Sequence, residues 1–170
     1  IAILTIEEQL ALQKAAAHSE SLAAFGIIFT LSTGIRRGEM LGLQWGDVDF
    51  TNHCIRIRRT VGRLQKVDEN GKLVAKKPGK TTTEIVARTP KTATGQRVIP
   101  LFPQVWKDLM IYHQRQKELL ITQNVYLSST TPIFSTLLGT FYEPRTYQDL
   151  FKRTLKAAGV KNINFHALRH

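Results

Sequence analysis

The chain has 170 residues, enough for one domain with a buried core, and its 42% hydrophobic and 22% charged residues are ordinary for a globular protein. Its charge is not ordinary: 24 Lys and Arg against 13 Asp and Glu give +11, a balance that asks for a polyanionic partner. The single cysteine, Cys54, excludes an internal disulfide, and thinly spread histidines give no zinc pattern, so no metal and no cofactor are expected.

Thr5-Ile-Glu-Glu8 is a capping box and predicts a helix from residue 6. Leu22 to Leu31 is apolar on nearly every side, which predicts a buried helix with Gly34 as its stop. Arg36 to Trp45 reads as a third helix, with Arg36, Arg37 and Glu39 in its first turns. The period then changes. Ile55-Arg-Ile-Arg-Arg-Thr-Val61 alternates apolar and basic side chains, the pattern of a strand with one wet face, and Cys54 beside it reads as a small core residue. Asn70-Gly71 and Pro78-Gly79 are turn signals. Thr83–Arg88 and Gln96–Ile99 are further strands of a small antiparallel sheet with a long exposed hairpin. Pro103 to Leu120 is helical by its apolar spacing, and 132–141 is irregular. Pro144 opens a helix that Gly159 ends, and a last helix starts near His166. The expected class is α+β: a mostly helical single domain with a small antiparallel three-stranded sheet. No apolar run is long enough to span a membrane, and a cytoplasmic location follows as the expectation.

The positive charge is concentrated. Residues 52–97 hold twelve Lys and Arg against Asp68, Glu69 and Glu84, so nine of the eleven excess charges lie there. No Phe, Trp or Tyr falls in this stretch, which favours contact with a duplex backbone over a base-stacking platform for single strands. Candidate DNA contacts are Arg56, Arg58, Arg59, Arg63, Lys76, Lys77, Lys80, Arg88 and Arg97.

Phosphoryl transfer at a phosphodiester without a metal needs convergent guanidinium groups, whose planar fork grips two oxygens, and an acid for the leaving oxygen. Arg36 stands at a loop-to-helix junction with Glu39 placed to brace it one turn later. His166 and Arg169, three apart, share a helical face, while His170 points away from it. Lys91 approaches the last strand on the basic sheet. Each of these residues alone would pass for ordinary surface.

In combination and order they resemble a known family. TGIRRGEMLGLQWGDVD at 33–49 is similar to the first signature box of the tyrosine recombinases, HALRH at 166–170 to the start of their second box, and PKTATGQRVIPL at 90–101 to the hairpin carrying their lysine. LTIEEQ at 4–9 is similar to the usual start of their catalytic domain, so the likeness runs over residues 4–170. The long basic hairpin is reminiscent of integrases of conjugative transposons and temperate phages.

The resemblance implies a tyrosine-recombinase catalytic-domain fold and site-specific DNA integration through a 3′-phosphotyrosyl intermediate. It assigns Arg36, Lys91, His166 and Arg169 as catalytic residues, with Glu39 in support. It further implies double-stranded DNA as partner, a homotetramer of the full protein on DNA, accessory DNA-bending proteins and a bacterial, nucleoid-associated setting. The family's nucleophile and a further His or Trp lie past the second box, and Tyr112, Tyr126, Tyr142 and Tyr147 do not match it. The chain, which opens on Ile1 and stops at His170, is therefore expected to be a piece, 1–170, of the catalytic domain that binds DNA weakly and does not cleave it. Two alternatives stand beside this reading: a type IB topoisomerase-like DNA-relaxing enzyme, and a non-catalytic DNA-binding regulator derived from a recombinase.

Overall fold

The computed structural model describes residues 3–75, 78–79, 81–89 and 96–169. Helix α1 spans Ile6–Ala17, and its cap is the expected one: Glu8 donates its backbone N–H to the Thr5 hydroxyl at 3.2 Å while Thr5 N–H reaches the Glu8 carboxylate at 2.8 Å. A 3-10 turn, Leu22–Ala24, leads into α2, Phe25–Thr33. α2 sits centrally and packs on α1, on α3 (Arg37–Gly42), on α4 (Pro103–Ile121) and on the C-terminal turn Phe165–Arg169. Helix α5, Pro144–Ala157, closes the other side of α1.

The core is aromatic where these elements meet. Phe25 stacks on Tyr112 at 4.9 Å between ring centres, Phe29 meets Phe134 at 5.5 Å, and Phe151 meets Phe165 edge-on at 5.0 Å. The Tyr147 hydroxyl donates to the Ala23 carbonyl at 2.9 Å, so its buried polar tip is satisfied. Gln116 does similar work on the other flank. It accepts from the Trp45 indole N–H at 2.8 Å and donates to the carbonyls of Pro132 and Ile133, fixing the irregular segment 128–135 against α4.

A three-stranded antiparallel sheet is present, but Thr83–Arg88 is not part of it: its order is β1 (Val48–Asp49), β2 (Cys54–Ile57), β5 (Arg97–Pro100), with Ile55 opposite Ile99. Strands β3 (Thr60–Gln65) and β4 (Thr83–Arg88) form a separate two-stranded ribbon in which Thr60 pairs with Arg88. The strand expected over 55–61 is thus two strands, broken at Arg58–Arg59. The helix expected to reach Trp45 stops at Gly42, because Leu43 turns extended and its carbonyl accepts the Ile133 N–H at 2.8 Å. The helix expected at His166 is a 3-10 turn over the described residues. Among the described residues no helix is long and apolar enough to cross a membrane.

Candidate functional site

The site is built around the start of α3. Gly34 takes φ +66°, ends α2, and turns the chain so that Arg36 becomes the N-cap of α3 with extended backbone. The Arg36 side chain is 57% exposed, whereas that of Glu39, one turn on, is 6% exposed. Burying a carboxylate requires partners, and Glu39 has four hydrogen bonds. It accepts the Arg36 backbone N–H at 3.1 Å, Arg36 Nη1 at 3.0 Å, and both Nη atoms of Arg97 at 2.9 Å each. Burial pushes its pKa up, but the hydrogen bonds from Arg97 and from Arg36 outweigh it and hold the carboxyl below its ordinary value. The same pair raises the pKa of Arg97. Arg37, the neighbour of Arg36, donates instead to Gln148 on α5, so the two adjacent arginines serve different ends.

Arg169 arrives from the far end of the chain. Its Nε donates to the Gly34 carbonyl at 2.7 Å across a separation of 135 residues. Among the described residues its side chain makes no other hydrogen bond, which leaves its two terminal nitrogens as an open fork beside the turn that presents Arg36. The 3-10 geometry repeats every three residues, so His166 and Arg169 lie on one side of the turn while Phe165, Ala167 and Leu168 are buried. His166 is exposed, and its backbone N–H donates to Asn164 Oδ1 at 3.3 Å.

Two glycines let the ribbon close onto α3. A Cβ on Gly38 would run into the Thr60 hydroxyl and come within 3.0 Å of the Val61 carbonyl, and one on Gly42 would lie 3.0 Å from the Arg59 backbone. Arg88 pairs with Thr60, which meets α3 at Gly38, and the Arg97 side chain reaches Glu39 on α3. Lys91 lies outside the described residues, as do Lys76, Lys77 and Lys80.

The remaining basic residues divide by strand phase. Arg56, Arg58 and Arg88 are exposed, with Arg56 paired to Asp49 at 3.3 Å on the surface. Arg63, on the ribbon, donates to Glu143 at 3.2 Å, the residue that caps α5. Arg59 is turned inward: it grips the Asp47 carboxylate with both Nη atoms and donates to the Gly42 carbonyl at 3.0 Å. Asp47, which sequence reasoning passed over, is 1% exposed and also accepts the Gln44 N–H at 2.8 Å. The signal was available. Counting by twos from Ile55 and Ile57 puts Arg59 on the apolar phase, and the same count from Ile99 puts Arg97 there.

Two of the tyrosines are spent on structure. Tyr112 and Tyr147 are buried, donate to the carbonyls of Ile133 and Ala23, and have phenol pKa values raised by burial. Tyr142 is half-buried edge-on to Tyr147, and Tyr126 is exposed. Among the described residues no three His, Cys, Asp or Glu side chains gather as a metal site would require.

The model of the phage integrase family matches residues 3–170. A tyrosine recombinase XerC-like protein of Caldanaerobacter subterraneus subsp. tengcongensis is 34% identical over 152 residues, covering 88% of this chain and 35% of that protein. Among solved structures, the Tn1549 transposon integrase in complex with a circular intermediate DNA superposes with a TM-score of 0.66 at 20% identity, over 99% of this chain and 51% of that one. The lambda integrase catalytic core gives 0.59 at 18% identity, over 99% and 79%. The chain thus spans about a third of the curated relative it matches and half of the transposon integrase chain.

Proposed function

The chain belongs to the phage integrase family, and on that premise we propose that it forms the phosphate-binding part of the active site of a site-specific DNA recombinase. One observation carries the reading: Arg169 is fastened to the Gly34 carbonyl, two residues before Arg36, so arginines 133 residues apart come to one turn of backbone. Both keep donors available, Arg36 by its exposure and Arg169 by its open fork.

The chemistry follows from charge. A tyrosine hydroxyl attacks the scissile phosphorus and passes its proton to His166, the bond from phosphorus to the 5′ oxygen breaks, and a 3′-phosphotyrosyl ester is left. Negative charge grows on the two non-bridging oxygens as the pentavalent state forms. Arg36 and Arg169 bind those oxygens, His166 adds a donor from the same side as Arg169, and Lys91 delivers the proton to the leaving 5′ oxygen. Attack by the partner strand's 5′ hydroxyl reverses the step, so the energy of the phosphodiester is kept in the ester throughout. The tyrosine itself is read as lying outside these 170 residues, since Tyr112 and Tyr147 are engaged internally.

Arg56, Arg58, Arg88 and the basic ribbon would lie along duplex DNA, with the full protein working as a multimer in the bacterial cytoplasm, helped by DNA-bending partners. The full-length gene product, mixed with a duplex nicked beside its site, should trap a covalent 3′ adduct. Arg36→Ala and Arg169→Ala should each remove the adduct and leave duplex binding largely intact. Equal loss of binding and adduct would make the two arginines folding or backbone-contact residues and refute the clamp.

A further inference from the structure

The proposed reaction sets two anions on Arg36. Its guanidinium gives one bond, from Nη1, to Glu39 at 3.0 Å, and its exposed remainder must face a phosphate, so carboxylate and phosphate compete for one side chain. A carboxylate is the nearest mimic of that phosphate, and this one is buried, so it is a strong competitor. If Arg36 were its sole cation, letting go would strand a charge out of water. Glu39 is not built that way. Arg97 reaches it from β5 with two parallel bonds of 2.9 Å, one to each oxygen, and the Arg36 backbone N–H keeps a third at 3.1 Å. When the Arg36 side chain leaves, three of four hydrogen bonds and a full opposite charge remain. Among the described residues, the charged groups bonded to Glu39 are these two arginines alone. Thr60, which meets α3 from β3 at Gly38, is neutral.

We infer that Arg97 is a positioning residue, a resident counter-charge that satisfies Glu39 so that Arg36 is released to bind the phosphate. This revises its expected role as a DNA contact. The inference rests on the clamp reading above and deepens it. Arg97 touches no reacting atom; it acts through Glu39 on Arg36. The same contact also ties β5 to the helix that presents Arg36.

The test uses the 170-residue chain and inorganic sulfate, a tetrahedral dianion whose charge does not change across neutral pH. Binding is read from the Nε–Hε resonances of Arg36 and Arg169 in arginine-labelled protein, each assigned by a lysine substitution. In Arg97→Gln, Glu39 has no cation but Arg36, and sulfate affinity should fall about tenfold, the scale of one charge-assisted hydrogen bond. In the double variant Arg97→Gln/Glu39→Gln the competing carboxylate is gone, and affinity should return to within about threefold of the parent. A residue that merely supports the fold would not be rescued by a second lesion in the same cluster.

Unchanged affinity in Arg97→Gln overturns the inference. So does a loss that the double variant fails to restore, which would mark Arg97 as a direct anion ligand or a folding residue. An unfolded Arg97→Gln whose double variant folds and binds as the parent supports it, because the lone Glu39 charge is then the lesion. Sulfate that moves neither Arg36 nor Arg169 in the parent chain defeats the clamp reading, and this inference with it.

Discussion

Asp47→Ala should be among the most damaging single substitutions outside the aromatic core. The side chain is 1% exposed and joins the turn at 44–47 to the Arg58–Arg59 segment. It accepts the Gln44 N–H at 2.8 Å, takes both Nη atoms of Arg59, and lies 3.8 Å from Arg58 Nε. Removing the carboxylate leaves the Arg59 guanidinium with the Gly42 carbonyl as its remaining acceptor. Breaking a fully buried ion pair costs about 3–5 kcal/mol, and since Arg59 is 21% exposed, water recovers part of that. The lost Gln44 bond adds about 1 kcal/mol. A net of about 3 kcal/mol lowers the melting temperature of a domain this size by about 6–12 °C. Thermal melts by circular dichroism should show this drop, with Arg56→Ala as the control, because that side chain is half exposed and its partner Asp49 keeps the Thr51 and Asn52 donors, so the melt should stay where it was. If Asp47→Ala melts with the control, Asp47 is not the tie between the 3-10 turn at 45–47 and the ribbon.

The division of the basic residues makes a paired forecast. Arg59→Ala should cost about 2 kcal/mol in stability by stranding Asp47 and change duplex affinity little, whereas Arg88→Ala should leave the melt unmoved and reduce the salt dependence of duplex binding by about one phosphate. Gly26→Ala would push a methyl into the Tyr147 hydroxyl and to 2.8 Å from Met40 Sδ, and should destabilise by about 2 kcal/mol in urea titration despite the better helix propensity of alanine. Glu39 carries a pH signature. Its folded pKa lies below the ordinary carboxylate value of 4.5, so it stabilises the fold above that pH and the contribution disappears as pH falls through the depressed folded value. The difference in urea midpoint between the parent and Glu39→Gln should therefore be largest near pH 7 and shrink on acidification through that window. A constant difference would show that Glu39 is not held as a charged group.

Local signals in the sequence were good guides where the deciding partner is close by. The capping box at Thr5 and Glu8, the Gly34 stop and the Pro144 start each concern a single turn, and each element begins or ends where its residues indicate. The signals failed where the partner is distant. Leu43 is apolar and helix-compatible, yet it is extended because its carbonyl meets Ile133, ninety residues on. By sequence, Arg59 and Arg97 group with the other basic residues as candidate DNA contacts, because charge is counted by residue type. Their strand phase points inward, and what makes an inward arginine tolerable is a carboxylate elsewhere: Asp47 for one and Glu39 for the other. The pairing of Arg36 with Glu39 was legible as an i, i+3 neighbour. The bond from Arg169 to Gly34 was not, because nothing in either segment names the other.

That bond fixes what position 34 can tolerate. A side chain there would meet nothing within 4 Å, so the constraint is purely one of backbone conformation, a φ of +66° that asparagine and aspartate adopt at modest cost and branched residues do not. Variation at this site should therefore sort by backbone preference and ignore volume: Gly34→Asn stays close to the parent, while the smaller change in shape of Gly34→Val swings the carbonyl away from Arg169. The core would scarcely register the second change, and its cost to stability would be backbone strain of about 1–2 kcal/mol at the end of α2. The functional damage would appear in the aim of one arginine.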